Sequence, residues 1–153
     1  MYAMPDEGFV VQGEAGNILR VAFAEVYGFP DSTSCWGGYD VRADLKIKSN
    51  SFEVNAEFWT STGEIFLLFQ ELQLSNKVLS GSPHYDSCEG HLSFTAMYDN
   101  MGHVTISGRF AEQMSANNTL NFEFESDQTF IQTTILQLQM IANKYGGMQE
   151  IKA

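Results

Sequence analysis

The chain has 153 residues, of which 44% are hydrophobic, and its formal net charge at pH 7 is -11. This length and hydrophobic content predict one folded domain, residues 1–153, and exclude wholesale disorder. The excess of carboxylates argues against a nucleic acid partner, because phosphates need a basic surface. The same charge fits a protein that meets a basic partner, and equally one that the charge merely keeps in solution.

The amino terminus lacks the basic region and long apolar run of a signal peptide, and no stretch is apolar enough to span a membrane. We therefore expect a cytoplasmic protein without membrane contact. Cys35 and Cys88 are too few for a disulfide framework, so we interpret them as free thiols of a reducing compartment. A bridge between the two is the open alternative.

The first part of the chain predicts four strands. Residues 9–12 form a short strand, and residues 17–27 form a longer one whose apolar residues on both sides indicate a central position. After a loop at 28–38, residues 39–48 and 52–58 alternate apolar and polar and predict a hairpin. The inward side chains of this hairpin are Tyr39, Val41, Ala43, Leu45, Ile47, Phe52, Val54, Ala56 and Phe58.

A helix over residues 62–76 follows the fourth strand. Ser61 and Glu64 form a capping box, in which the serine hydroxyl accepts from a free backbone N–H and the glutamate reaches back. The apolar residues that follow have the spacing of one helical face. They are Ile65, Leu68, Phe69 and Leu72.

The second part of the chain predicts three strands and a second helix. Residues 89–98 and 103–110 form a hairpin, in which pairing of residue 98 with 103 places His91 opposite residue 110. The inward side chains of this hairpin are Leu92, Phe94, Ala96, Tyr98, Val104, Ile106 and Phe110. Residues 120–125 form the next strand, on which Glu123 pairs across to Arg109. A helix over 127–145 begins at the N-cap Asp127 and ends at two glycines.

These elements predict an α+β fold, a single mainly antiparallel sheet of about seven strands with two helices packed on one face. Each helix has one apolar stripe and the middle strands have one apolar face, so the two surfaces are expected to cover each other. Each half of the chain ends in a strand followed by a helix. The sequence nevertheless shows no internal repeat strong enough to claim.

The segment from His84 to His91 holds the best candidates for chemistry. His84, Cys88 and His91 are of the types that bind zinc, but their spacing is not a usual zinc spacing. The predicted hairpin places His103 roughly 23 Å from His91, at 3.3 Å per residue. We therefore predict no metal, no cofactor and no catalytic residue, with a small-molecule or metal-binding module using this segment as the alternative function.

A series of strand-end, turn and cap motifs extends over about residues 8 to 142. The motifs are Phe29-Pro30, Trp36-Gly37-Gly38-Tyr39-Asp40, Phe52 through Phe58, Ser61-Thr62-Gly63-Glu64, Leu79-x-Gly81, Gly102-His103-Val104 and Phe122-x-Phe124-x-x-Asp127-Gln128-Thr129. Together they resemble the WapI-type immunity proteins. The resemblance implies a small, non-catalytic cytosolic bacterial protein that neutralises the toxic C-terminal domain of a polymorphic contact-dependent toxin, often a nuclease. The motifs are structural, so no functional residue follows from the resemblance.

An acidic inhibitor of a nuclease would meet a basic active site, and this hypothesis selects the polar side of the predicted sheet as the contact face. Cations share that side, so the face is mixed, and a solvated surface without a partner is the alternative for each residue. Trp59 is interpreted either as a cap of the sheet edge or as an exposed anchor. The candidate contact residues are Asp40, Asp44, Glu53, Glu57, Trp59, Glu123 and Glu125.

Overall fold

A computed structural model describes residues 7–112 and 118–147. Eight strands form two four-stranded antiparallel sheets, in each of which the strands lie in sequence order. A 3-10 turn at Glu14–Gly16 joins the first two strands. The elements are β1 (Gly8–Gln12), β2 (Ile18–Tyr27), β3 (Asp40–Ser49), β4 (Phe52–Ser61), α1 (Thr62–Val78), β5 (His84–Asp86), β6 (Leu92–Tyr98), β7 (His103–Ala111), β8 (Thr119–Asp127) and α2 (Gln128–Tyr145).

The α+β class is confirmed, but the prediction of one seven-stranded sheet is wrong. β1 to β4 form the first sheet and β5 to β8 form the second, and α1 lies between the two runs of strands in the chain. Alternation shows which side of a strand faces the core, but it does not show which strands pair. The sequence missed β5 because this strand has only three residues. A run that short carries no recognisable alternation.

The core cluster draws on both sheets and both helices. The inward residues predicted on β3 are all buried, as are those predicted on β6 and β7. β4 differs, since Phe58 is buried while Phe52 is 63% exposed. β2 also differs, because its register shifts between Phe23 and Glu25 and the strand is exposed at Ala24 and Glu25. The prediction that β2 is buried on both sides therefore holds only for its first residues.

Both predicted helix starts are confirmed. The Ser61 hydroxyl accepts from the Glu64 N–H at 3.2 Å, and the Asp127 carboxylate accepts from the Phe130 N–H at 2.9 Å. The first residue of each helix also bonds the residue just before the third strand of its half, β3 or β7. Thr62 N–H donates to the Tyr39 carbonyl, and Gln128 N–H donates to that of Gly102, both at 2.9 Å. The two halves therefore start their helices in the same way.

Each helix packs against the first strand of the other half, so the helices do not lie on one face of a common sheet. On β1, the Val10 N–H donates to Gln137 Oε1 at 2.8 Å, and the Val10 carbonyl accepts from Thr134 Oγ1 at 2.7 Å. On β5, the His84 N–H donates to Glu71 Oε1 at 3.0 Å. Gln137 and Glu71 each lie ten residues after the N-cap of their helix. The chain thus contains a structural repeat of four strands and a helix, which the sequence did not reveal.

Packing explains the glycine in the motif Ser61-Thr62-Gly63-Glu64. The Gly63 N–H donates to the Gly37 carbonyl at 3.2 Å. A Cβ added at Gly63 would lie 2.5 Å from the Gly37 carbonyl carbon, closer than backbone atoms allow. The loop between β2 and β3 therefore packs directly on the start of α1, and a side chain at Gly63 would separate them.

Candidate interaction surface

The outer face of the first sheet brings together four of the predicted contact residues. On β3 and β4, Glu57 lies opposite Asp44, Trp59 lies opposite Arg42, and Glu53 lies near the hairpin turn. Asp44, Glu53, Glu57 and Trp59 are all exposed. The prediction that these residues lie on the polar side of their strands is therefore confirmed, while their contact with a partner stays a prediction.

Cations neutralise much of the charge on this face. The Arg42 guanidinium lies 3.3 Å from Glu25 and 3.1 Å from Glu57, and the Lys46 ammonium lies 3.4 Å from Glu53. Hydrogen bonds from Tyr27 and then from Arg42 lower the pKa of the Glu25 carboxyl. Because these pairs are exposed, solvent and salt screen them and they add little to stability. The face is accordingly mixed in charge.

The backbone and the ring of Trp59 have different surroundings, and the anchor role of the ring stays a prediction. Its backbone carbonyl accepts from the Cys88 thiol at 3.7 Å, which ties the end of β4 to the loop after β5. Its ring packs on Tyr27 with the ring centroids 5.4 Å apart, and 39% of the residue is exposed. The backbone of Trp59 therefore serves the fold, and its ring offers an aromatic surface beside the charged residues.

Asp40 belongs to a different environment from the other carboxylates. It is half-buried at the start of β3, opposite Ser61. The pKa of Cys88 is raised to about 12, first by burial and then by the negative charges of Glu64, Glu89 and Asp40. Asp40 thus acts on the thiol at the junction of the two sheets. At neutral pH that thiol is therefore uncharged.

Glu123 and Glu125 lie on β8, in the second sheet, so the seven predicted contact residues do not share one sheet. Both are exposed, and Thr105 Oγ1 lies 3.2 and 3.4 Å from the two carboxylate oxygens of Glu125. The predicted pairing of Arg109 with Glu123 is wrong. The strand register places Arg109 opposite Asn121, and both residues line a shallow depression of about 500 Å³.

The two sheets differ in charge. Residues 8–61 contain seven carboxylates and four cations, whereas residues 84–127 contain seven carboxylates and one cation. The four cations of the first span are Arg20, Arg42, Lys46 and Lys48, and that of the second is Arg109. The second sheet therefore carries the larger share of the excess negative charge.

The structure does not gather the predicted metal-ligand types. His84 Nε2 lies 2.8 Å from Asp86, and His91 Nδ1 donates to the Ala111 carbonyl at 2.8 Å. His91 thus lies opposite residue 111 rather than 110, because Tyr98 pairs with Val104. In the ranges 7–112 and 118–147, no three His, Cys, Asp or Glu side chains are placed to hold one ion. Both cysteines are free thiols.

A buried polar cluster at the start of α1 was not predicted. The Glu64 carboxyl accepts from Thr60 Oγ1 at 3.1 Å and from the backbone N–H groups of Ser61 and Cys88, while Thr60 also bonds the buried hydroxyl of Tyr85. Burial raises the pKa of Glu64 to about 7, against the lowering effect of these hydrogen bonds. The capping-box pattern indicated the bond to Ser61. It did not indicate that Cys88, in the loop after β5, also bonds the carboxyl.

Neither helix in the described part of the chain has the length and hydropathy that crossing a bilayer requires. Comparison with curated proteins and with solved structures found no match. A family model, that of the WapI-like immunity proteins, matches residues 10–146, close to the span of the motifs described above. Since the match covers nearly the whole chain, the protein belongs to the WapI-like immunity protein family.

Proposed function

We propose that this protein is a cytoplasmic immunity protein that binds the toxic C-terminal domain of a polymorphic contact-dependent toxin and neutralises it without catalysis. The family match over residues 10–146 is the observation that carries the proposal. The exposed charged and aromatic side chains on β3, β4 and β8 support a binding role.

The proposed partner is a basic toxin domain of the nuclease class. A nuclease must hold phosphates, so its active site carries positive charge. The net charge of -11 on this chain would attract such a surface over a distance of about 10 Å at moderate salt. Electrostatic attraction of this kind accelerates association and disfavours partners of the wrong charge.

The proposed contact residues fall into two sets, because they lie on two sheets. The first set is Asp44, Glu53, Glu57 and Trp59 on β3 and β4, and the second is Glu123 and Glu125 on β8. Asp40 stays a proposed contact of the first sheet, although it is half-buried. The cations around the first set leave it closer to neutral than the second.

The test is co-expression of the protein with the toxin domain encoded beside it. We expect full protection of the cell by the wild-type protein. Growth arrest despite a folded, abundant wild-type protein would overturn the proposed role.

Two charge-reversed variants then locate the surface, and each serves as the control for the other. One carries Glu53→Lys with Glu57→Lys, and the other carries Glu123→Lys with Glu125→Lys. We expect at least one of them to bind the toxin more weakly and with a smaller dependence on salt, with its melting temperature preserved. If both protect fully with unchanged affinity and salt dependence, the proposed residues are wrong while the immunity role stands.

A further inference from the structure

The backbone of β4 presents unpaired hydrogen-bonding groups along its outer edge. In an antiparallel pair, successive residues point their N–H and C=O groups alternately toward the partner strand and away from it. Thr62 N–H donates to Tyr39 on the β3 side, so the odd-numbered residues of β4 point outward. Trp59 has this phase, and its carbonyl is bonded from outside by Cys88. Glu53, Asn55 and Glu57 therefore direct their backbone groups away from β3.

The other three sheet edges are covered. Gln137 and Thr134 of α2 bond the edge of β1, as described above, and Glu71 of α1 bonds that of β5. On β8, the Ser49 hydroxyl donates to the Glu123 carbonyl at 3.0 Å. Gly13 also lies against β8, so closely that an added Cβ would be 2.6 Å from the Glu125 carbonyl oxygen.

β4 has no such cover along its first seven residues. Within residues 7–112 and 118–147, no hydrogen bond from another element reaches the backbone of Glu53, Asn55 or Glu57. The sequence of residues 52–58 also lacks the lysine or proline that commonly protects an edge, and its register with β3 has no bulge. An unprotected edge of this length is suited to pairing with another strand.

A groove runs beside this edge and has room for side chains. Its volume is about 450 Å³, and residues 52–56 form one wall. The opposite wall includes Phe110 and Leu120 from the adjoining ends of β7 and β8. Phe52 faces this groove and is 63% exposed. An exposed phenylalanine beside a groove offers apolar area that a second strand would bury.

The side chains of β4 specify the chemistry of the strand that fits. On the outer face the new strand would lie beside Glu53 and Glu57. Their side chains are 51% and 62% exposed despite the pairs with Lys46 and Arg42, which favours Lys or Arg at alternate positions of the new strand. On the other face it would lie beside Phe52, Val54 and Ala56, which favours apolar residues between them. A second copy of this chain fits poorly, because antiparallel pairing of two β4 strands centred on Asn55 sets Glu53 against Glu57.

We propose that an extended segment of the toxin domain, with alternating basic and apolar residues, pairs with β4 as a fifth strand of the first sheet. This inference rests on the proposed immunity function and names the element that recognises the toxin. The backbone of Glu53, Asn55 and Glu57 supplies the hydrogen bonds, and the groove receives the apolar side chains. The carboxylates of Glu53 and Glu57 select the basic side chains of the toxin segment.

The test compares Asn55→Pro with Asn55→Ala in binding to the toxin domain encoded beside the protein. Proline removes the outward N–H and blocks the edge but keeps the backbone bonds to β3, whereas alanine keeps the N–H. Both substitutions remove the hydrogen bond that Lys46 Nζ of β3 donates to Asn55 Oδ1 at 3.4 Å, so the comparison isolates the edge. We expect Asn55→Pro to bind about tenfold more weakly or worse, and Asn55→Ala to bind within about twofold of wild type. Equal melting temperatures confirm that both variants are folded. Wild-type affinity in a folded Asn55→Pro variant would overturn the inference alone.

Hydrogen exchange provides a second readout that needs no variant. In the wild-type complex, the amide protons of Glu53, Asn55 and Glu57 should exchange at least about tenfold more slowly than in the free protein. Unchanged exchange at all three positions, in a complex that does form, would overturn the inference even if Asn55→Pro did not fold. A wild-type protein that fails to bind the toxin would overturn the proposed function, and this inference with it.

Discussion

The two halves of the chain share one construction and differ at their last strands. Each has four antiparallel strands followed by a helix that packs on the first strand of the other half. The edge of β8 is closed by Ser49, which lies at the end of β3. The corresponding end of β7 makes no such bond to β4 among the described residues. The repeated scaffold thus leaves one edge open.

This difference between the halves indicates where binding residues would lie. Contacts that recur in both halves, such as the backbone bonds that start the helices, serve the fold. The open edge of β4 and the larger excess of negative charge on residues 84–127 do not recur, so neither is required by the scaffold. We infer that binding uses the features that distinguish the halves.

The largest effect is expected from a charge placed in the shared core. Leu68 of α1 is fully buried, so Leu68→Asp should lower the free energy of unfolding by roughly 4 kcal/mol or more. The control is Leu67→Asp, because Leu67 lies on the same helix and is 41% exposed. Urea unfolding should be followed by tryptophan fluorescence and by circular dichroism. Since both tryptophans lie in the first half, separate transitions would show that the halves do not unfold together.

A substitution at Thr134 tests how much the hydrogen bond to the edge of β1 contributes to stability. Its hydroxyl is buried and donates to the Val10 carbonyl, so Thr134→Val leaves that carbonyl without its partner. We expect a loss of about 1–3 kcal/mol in the free energy of unfolding. The adjacent Thr133→Val, at an exposed position of the same helix, should cost far less. Equal effects of the two substitutions would contradict the role given to the buried bond.

Glu64 should make stability depend on pH in a specific direction. Its pKa is about 7 in the folded protein and near 4.5 in the unfolded chain, so its contribution is fully present below pH 4.5 and is lost as the pH rises through 7. Because the carboxyl is partly exposed, we expect a change of only about 1–2 kcal/mol between pH 5 and 8. Glu64→Gln should remove this decline, as measured by urea unfolding at each pH.

Glu7 provides a control, because its effect on stability has the opposite dependence on pH. Burial alone would raise its pKa, but hydrogen bonds from Lys144 and Tyr145 leave it below the ordinary value. Its contribution is therefore present above about pH 4.5 and is lost as the pH falls below that range. Glu7→Gln should accordingly alter the acid side of the stability profile. An identical decline between pH 5 and 8 in wild type and Glu64→Gln would contradict the assignment to Glu64.

The smallest effect is expected from opening the edge of β8. Ser49→Ala removes the hydroxyl that bonds the Glu123 carbonyl and should cost about 0.5–1.5 kcal/mol. The control is Ser51→Ala, at an exposed position of the β3–β4 turn. Thermal melting of both variants measures the difference. A Ser49→Ala protein as stable as the control would show that this bond does not hold the β8 edge closed.

Alternation and capping chemistry predicted most individual elements. Ser61 and Asp127 start the helices as expected, and the inward residues of β3, β6 and β7 are buried. These features depend on residues close together in the chain. The division into two sheets, and the packing of each helix on the first strand of the other half, depend on contacts between residues far apart in the chain. Gln137 and Thr134 gave no sign in the sequence that they would bond the backbone of Val10.

The candidate site was predicted less completely, for the same reason. Alternation within β3 and β4 predicted the side of the sheet on which four of the candidate residues lie, namely Asp44, Glu53, Glu57 and Trp59. Their separation from Glu123 and Glu125 could not follow from it, since it depends on the break between the sheets. The interpretation of the chain as one domain stays a prediction.

The most direct test of the immunity role is a titration of the purified toxin domain with this protein. The readouts are the toxin's own activity and the mass of both chains. A non-catalytic immunity protein should abolish activity linearly, reaching completion at about one equivalent, and should leave both masses unchanged. Activity should return when the toxin is recovered from the complex under denaturing conditions and refolded. Complete inhibition by a small fraction of an equivalent, or a lasting covalent change in the toxin, would contradict a non-catalytic immunity role.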